Sequence, residues 1–364
     1  MNEGSGDHWI PRLSTNLVIG PNRWNGKQMV SDIAITGQER IIQIGLLERC
    51  ILEAVDGHRS VADIYHYIGA QNLKISEEKI TAVLNKFAFF GIVNRPFALR
   101  RGTQDEDNRA MLPPQVQSDQ IPLSGHRFSL LTLWKHDELF NSKFGFPLIL
   151  ICGVGSILAL VVLFPAVMST LRKATWLQWA IGVLIAICWN SLVTILHENS
   201  HASLFYRESS RIPFLALMKM GFLIMPNTHM PGFSLLRTGA KVRIAAIGPL
   251  TSLSLMFVPV LFYYWQPDSW IGVISAISIG VGTIIILLSC SPLPNTDMTR
   301  LIEALIGVDQ IQQVATYSMT GKYKVPGSLP LRTRIGIRIY PLLLLLTVVC
   351  WAAAVVWAIW LVFH

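Results

Sequence analysis

The chain has 364 residues, 52% of them hydrophobic and only 14% charged. A soluble domain carries roughly 25% charged residues. Here the apolar excess is gathered into long uncharged runs after residue 145, which argues against a large soluble core and for a membrane protein. The net charge of +8 fits basic cytoplasmic loops rather than a nucleic-acid surface.

The start, Met1-Asn2-Glu3-Gly4, is polar and acidic, with no basic segment leading into an apolar stretch. No cleavable signal peptide is expected, and the N-terminal part is expected to stay in the cytosol. The five cysteines, Cys50, Cys152, Cys188, Cys290 and Cys350, form no CxxC pair and read as small buried hydrophobes.

In chain order, residues 14–100 read as a small soluble α/β domain. Asn16–Gly20 and Gln28–Ile35 predict a hairpin, and Ile41–Ile44 a third short strand. Leu46–Val55, Ser60–Gly69 (with Ser60 as N-cap) and Ser76–Gly91 carry helical spacing, and Ile92-Val93 reads as a wing strand. Together they predict a winged-helix-like module. Residues 101–145 read as a polar, Pro-containing linker, with Phe128–Phe140 as an interfacial helix.

From residue 146 to 364 the pattern is that of a transmembrane domain. Pro147–Leu171, Trp176–His201, Ile244–Trp265, Trp270–Cys290 and Pro341–Phe363 each come close to the ~20 apolar residues that cross a bilayer. Phe214–Met225 is shorter, is interrupted by Lys219, and is expected to be re-entrant or interfacial. Lys and Arg cluster between the second and third spans and between the fourth and fifth, which predicts a cytosolic N-terminus. The predicted fold class is an α-helical polytopic membrane protein of about five transmembrane helices plus a re-entrant segment. An N-terminal α/β winged-helix-like soluble domain precedes it.

The chemistry sits in His197-Glu198-Asn199-Ser200-His201. Two His four residues apart on a helix share one face and can bind one Zn²⁺, while Glu198 can take a proton from an attacking water. Glu198 is the one carboxylate of a long apolar segment, where ionisable groups are costly and usually functional. A third ligand is required. Asp297, just past the fourth span in Ser291-Pro292-Leu293-Pro294-Asn295-Thr296-Asp297, is the best placed, because both even-numbered spans end on the cytosolic side. Its competing role is an N-cap for the helix Met298–Ile306. His229 and Glu208 are alternative ligands, and Asn295 is a candidate to stabilise an oxyanion.

This arrangement, over about residues 145–310, resembles the site-2 protease family of zinc intramembrane proteases. His197, Glu198 and His201 match its HExxH, Ala202 the residue that often follows, and Gly248-Pro249-Leu250-Thr251-Ser252 its Gly-Pro-x-x-Asn stretch. Asp297 aligns with the Asp of its Asp-Gly motif. The chain departs from that pattern at Asn199-Ser200, at Ser252 in place of Asn, and at Met298 in place of Gly. Ile41–Arg95 resembles a PqqD-like peptide-recognition element. That resemblance implies capture of a leader peptide as an added strand at the edge near Ile41–Ile44.

The two resemblances imply a zinc endopeptidase that removes the leader from a ribosomally made precursor peptide. It would lie in the bacterial cytoplasmic membrane, with N-terminal domain and active site facing the cytosol. Its partners would be the precursor, the bilayer and a peptide exporter, with no nucleic acid. The alternatives are a regulatory protease acting on a membrane signalling protein and a non-catalytic peptide receptor.

Overall fold

The computed structural model describes residues 9–36, 40–71, 73, 75–94, 145–220, 223–321 and 325–363. The expected linker and interfacial helix, residues 101–144, lie outside them. The chain divides into two compact units, the first built mainly of N-terminal residues and the second mainly of residues after 120.

The first unit opens with a four-stranded antiparallel sheet of β1 (Leu17–Ile19), β2 (Arg23–Trp24), β3 (Met29–Ile35) and β4 (Ile41–Gly45). β3 is central. β1 and β2 pair along one of its edges, from Leu17↔Ile35 to Trp24↔Met29, and β4 along the other, from Ala34↔Ile41 to Val30↔Gly45. The Asn25 side chain accepts from the N–H groups of Lys27 and Gln28, an Asx turn that reverses the chain and lets Gly26 take φ 88°. The short strand β2 was hidden in the sequence because the turn residues Pro21-Asn22 and Asn25-Gly26 bracket only two residues.

Helices α1 (Leu46–Ala54), α2 (Val61–Ala70) and α3 (Glu77–Phe89) follow. α2 begins at a reciprocal cap: Ser60 Oγ accepts from the Asp63 N–H, and Asp63 accepts from the Ser60 N–H. Ser76 caps α3 one way only, its hydroxyl accepting from the Lys79 N–H. The three helices cover one face of the sheet with a continuous apolar core of Ile33, Ile44, Ile51, Leu52, Ile64, Ile80, Leu84 and Phe87, all fully buried. After α3 the chain turns at Gly91 and closes on the N-terminal segment through the bridge Leu13↔Val93.

Among its described residues the second unit contains five helices long and apolar enough to cross a membrane. They begin with α4 (Gly145–Lys173) and α5 (Trp176–Ser209). Next comes an antiparallel hairpin of β5 (Phe214–Met220) and β6 (Leu223–His229). α6 (Thr238–Leu255) and α7 (Phe257–Trp265) form one span broken at Met256, and α8 (Trp270–Ser289) forms the next. The amphipathic helices α9 (Asp297–Ile306) and α10 (Ile311–Met319) precede the last span, α11 (Leu331–Phe363). Side chains such as Ile151, Val161 and Val162 are 68–75% exposed on α4. Such an apolar exterior suits lipid rather than water.

One sequence expectation needs correction here. α5 does not end at His201 but continues two further turns to Ser209, where Ser210 at φ 54° terminates it. At this end Arg243 of α6 donates to Glu208 at 2.7 Å, and Ser209 Oγ donates back to the Phe205 carbonyl of its own helix. In the segment expected to be re-entrant or interfacial, Phe214–Met220 and residues 223–225 pair as antiparallel strands. A short apolar run does not reveal its period, and cross-strand pairing satisfies its backbone.

Candidate metal centre

α5 packs against both α6 and α8, and α9 packs against α6. His197 and His201 lie four residues apart on α5, one turn along the same face, and both are buried. Asp297 is the first residue of α9. His197 Nε2 lies 3.0 Å from Asp297 Oδ2, His201 Nε2 lies 3.1 Å from Asp297 Oδ1, and the two Nε2 atoms lie 3.2 Å apart. Three potential ligand atoms from helices 100 residues apart thus converge on one point.

The remaining ring nitrogens are already engaged. His201 Nδ1 lies 2.6 Å from the Ile244 carbonyl oxygen on α6. A carbonyl only accepts, so Nδ1 carries a proton, and Nε2 is the ring nitrogen turned toward the other two ligand atoms. His197 Nδ1 is 2.9 Å from Ser252 Oγ. Ser252 therefore supplies a polar partner at the position where the resemblance led one to expect Asn. Ser289 Oγ, at the end of α8, donates to Asp297 Oδ2 at 2.7 Å.

The donor set fits a tetrahedral divalent ion. Metal–nitrogen and metal–oxygen bonds of about 2.0–2.2 Å at tetrahedral angles place ligand atoms about 3.3–3.6 Å apart, a little wider than the 3.0–3.2 Å observed. A buried group of this kind is held together either by protons shared between imidazole and carboxylate or by a cation bound among them. Partial burial alone would push the Asp297 carboxyl up, but the charge of His201 and the hydrogen bonds from both imidazoles hold it well below the usual carboxylate range. Asp297 is thus an anion ready to act as a ligand.

Gly248 explains how α6 comes so close. A Cβ at that position would lie 2.3 Å from His201 Nε2 and 2.6 Å from His197 Nε2. Any side chain would fill the space between the ligands. The Gly-Pro pair therefore serves close approach of backbone to the site.

The loop that carries Asp297 is also accounted for. Thr296, not Asp297, is the N-cap of α9, its hydroxyl accepting from the Thr299 N–H. Asp297 is thereby released from capping. Asn295 takes the left-handed conformation, at φ 61°, and Met298 lies within the helix, where no glycine is needed. The Pro292 carbonyl accepts from Tyr340 of α11, and Ser291 Oγ accepts from Trp351 Nε1, which anchors the turn.

The alternative ligands are placed elsewhere. His229 is exposed, with its ring stacked 4.5 Å from that of Phe214 across the hairpin. Glu208 pairs with Arg243 at 2.7 Å. Asn295 is exposed and serves the turn. Glu198 lies outside the ligand set. Its Oε2 accepts from the Thr228 N–H at 2.7 Å, and its backbone carbonyl accepts from Thr228 Oγ1 at 2.9 Å. Sequence reasoning missed Ser289 and Thr228, isolated hydroxyl residues whose pattern carries no signal; only the tertiary contact gives them a role.

No family model matches the chain, and no curated protein or solved structure matches it.

Proposed function

We propose that the chain is a zinc-dependent intramembrane endopeptidase of the site-2 protease type that cleaves a precursor peptide held by its N-terminal unit. The observation that carries this reading is the convergence of His197, His201 and Asp297 on one point, with Glu198 beside the first ligand. His197, His201 and Asp297 would hold the ion, leaving one position open, as catalytic zinc sites do. Zinc there would polarise the scissile carbonyl and lower the pKa of water.

The chain's own residues supply the rest. Glu198 accepts the proton of the attacking water and returns it to the departing amine, so the peptide C–N bond breaks as the new C–O bond forms. Ser252 and the Ile244 carbonyl orient the two imidazoles, and Ser289 orients the carboxylate. The apolar exterior of the unit keeps the reaction within the bilayer, with the active site facing the cytosol by the distribution of Lys and Arg.

For capture, the N-terminal unit is read as a winged-helix, PqqD-like element. β4 has β3 as its one pairing partner among the described residues, so Ile41–Ile44 offer an edge on which a leader could add as a strand. Tethering raises the effective concentration of the cleavage site.

The test is a trap. Full-length Glu198→Ala is purified from the native host in mild detergent, its metal content is measured, and co-purifying peptides are identified by mass spectrometry. Zinc near one per chain with a short leader-bearing precursor is the expected result. Zinc with a larger membrane protein would instead mean a regulatory protease. A bound peptide without zinc, in variant and wild type alike, would overturn the protease reading.

A further inference from the structure

The contacts of the β5–β6 hairpin point beyond the ligand set. In β6, Pro226 pairs opposite Leu217 and Thr228 opposite Leu215. Proline has no N–H, so a strand tolerates it where the N–H would point away from the ladder. Thr228 shares that register, two residues on. Its N–H accordingly leaves the hairpin and meets Glu198 Oε2. The bond is short and charge-assisted, and Thr228 itself is 1% exposed. The Thr228 hydroxyl makes a second bond to the backbone of the same residue. One residue earlier, the Asn227 carboxamide oxygen accepts from Arg300 Nη2 at 3.1 Å, one turn beyond Asp297 on α9. The end of β6 therefore touches both helices that carry ligands.

We infer that Thr228 is a positioning residue for Glu198, and that β6 acts as a strap setting the carboxylate against the ligand-bearing helices. This rests on the protease reading for its purpose but not for its geometry. With Oε2 held by the Thr228 N–H, Oε1 is the oxygen left for proton transfer. A carboxylate fixed at one oxygen samples fewer orientations, which is how supporting residues raise the efficiency of a general base. The span offers no evident substitute: Glu198 is the sole carboxylate between Trp176 and His201, and Glu208, further along, pairs with Arg243.

The test separates the clasp from the chemistry. Amide hydrogen exchange is followed on the full chain in detergent for wild type, Glu198→Ala and Glu198→Gln. Loss of the acceptor in Glu198→Ala should speed exchange at the Thr228 amide about tenfold, and Glu198→Gln, which keeps an amide oxygen, should restore most of the protection. Turnover of dye-labelled casein, a generic unfolded substrate, is then measured for Thr228 variants with equal zinc content. Thr228→Pro should lower kcat about 10–100-fold with KM nearly unchanged, Thr228→Val a few-fold, and Thr228→Ser hardly at all. Unchanged exchange in Glu198→Ala would overturn the clasp. Altered exchange with kcat preserved in Thr228→Pro and Thr228→Val would overturn the positioning role. Casein left intact by wild type would count against the protease reading alone, and the exchange comparison would still decide whether Thr228 holds Glu198.

Discussion

The two units solve opposite problems. The N-terminal unit buries a core of Ile33, Leu84, Phe87 and their neighbours, with Arg23, Ser31 and Asp32 as buried polar groups beside it. The second unit turns Val161, Val162 and Leu184 outward and buries His197, His201, Ser252, Asn190 and Ser278. In water the first arrangement is driven by apolar area removed from solvent. In a bilayer the lipid is as apolar as leucine, so packing and internal polar bonds must hold the helices together. The polar interior of the second unit is therefore both its structural glue and the place where chemistry is affordable.

The largest expected effect lies at that polar interior. On the proposed protease reading, Glu198→Gln should lower casein turnover by about 10²–10⁴-fold with zinc content unchanged, because it would remove the base and none of the ligands. Loss of zinc in this variant would break the division between ligands and base drawn from the geometry.

The next effect separates the two cores directly. Leu84→Ala, fully buried in the first unit, should destabilise that unit by about 2–5 kcal/mol, read by denaturant unfolding or by protease sensitivity of the N-terminal region. Val161→Ala, 72% exposed in the second unit, should change stability by less than about 0.5 kcal/mol in lipid bicelles. Equal costs at the two positions would show that the outward face of α4 packs against protein rather than lipid.

The same contrast explains what was legible in the sequence. Elements with local signals read true: Ser60 and Ser76 mark helix starts, and the uncharged runs mark the spans. The placing of His197 and His201 on one helix face was legible because their spacing is itself the geometry. Asp297 needed an argument about which side of the membrane each span ends on, and its release from capping by Thr296 could not be read. The hairpin was lost because Leu215-Ala216-Leu217-Met218 has neither a polar face nor alternation. Ser289 and Thr228 were invisible because their partners are 8 and 30 residues away and on other elements.

A smaller effect probes how the polar interior is held. Ser252→Ala removes the hydroxyl beside His197 Nδ1 but none of the three ligand atoms. Zinc affinity should fall about 10–100-fold, measured by competition with a chelator. Ser252→Thr keeps the hydroxyl and should lose less. An unchanged affinity in Ser252→Ala would mean that the packing of α6 through Gly248, rather than the hydrogen bond, fixes the imidazole.

The smallest effect falls where the two regimes meet, on the amphipathic helix α9. The Glu303 carboxylate accepts from the Ile311 N–H at 3.0 Å and so joins α9 to the start of α10. Burial pushes its carboxyl up to about 7, and Asp309 adds to the rise. A group whose folded value exceeds its unfolded value of 4.5 stabilises the fold below that value, and the benefit is lost as pH rises toward 7. A full shift of that size would be worth about 3 kcal/mol. Glu303 retains some solvent contact, so about 1 kcal/mol is the expected effect. Glu303→Gln keeps an acceptor for Ile311 and cannot ionise. It should melt like wild type near pH 4 and a few degrees above it at pH 8, the comparison at each pH cancelling any effect of the metal ligands. A gap that stays constant across this range would mean that the Glu303 side chain stabilises the α9–α10 joint by packing alone.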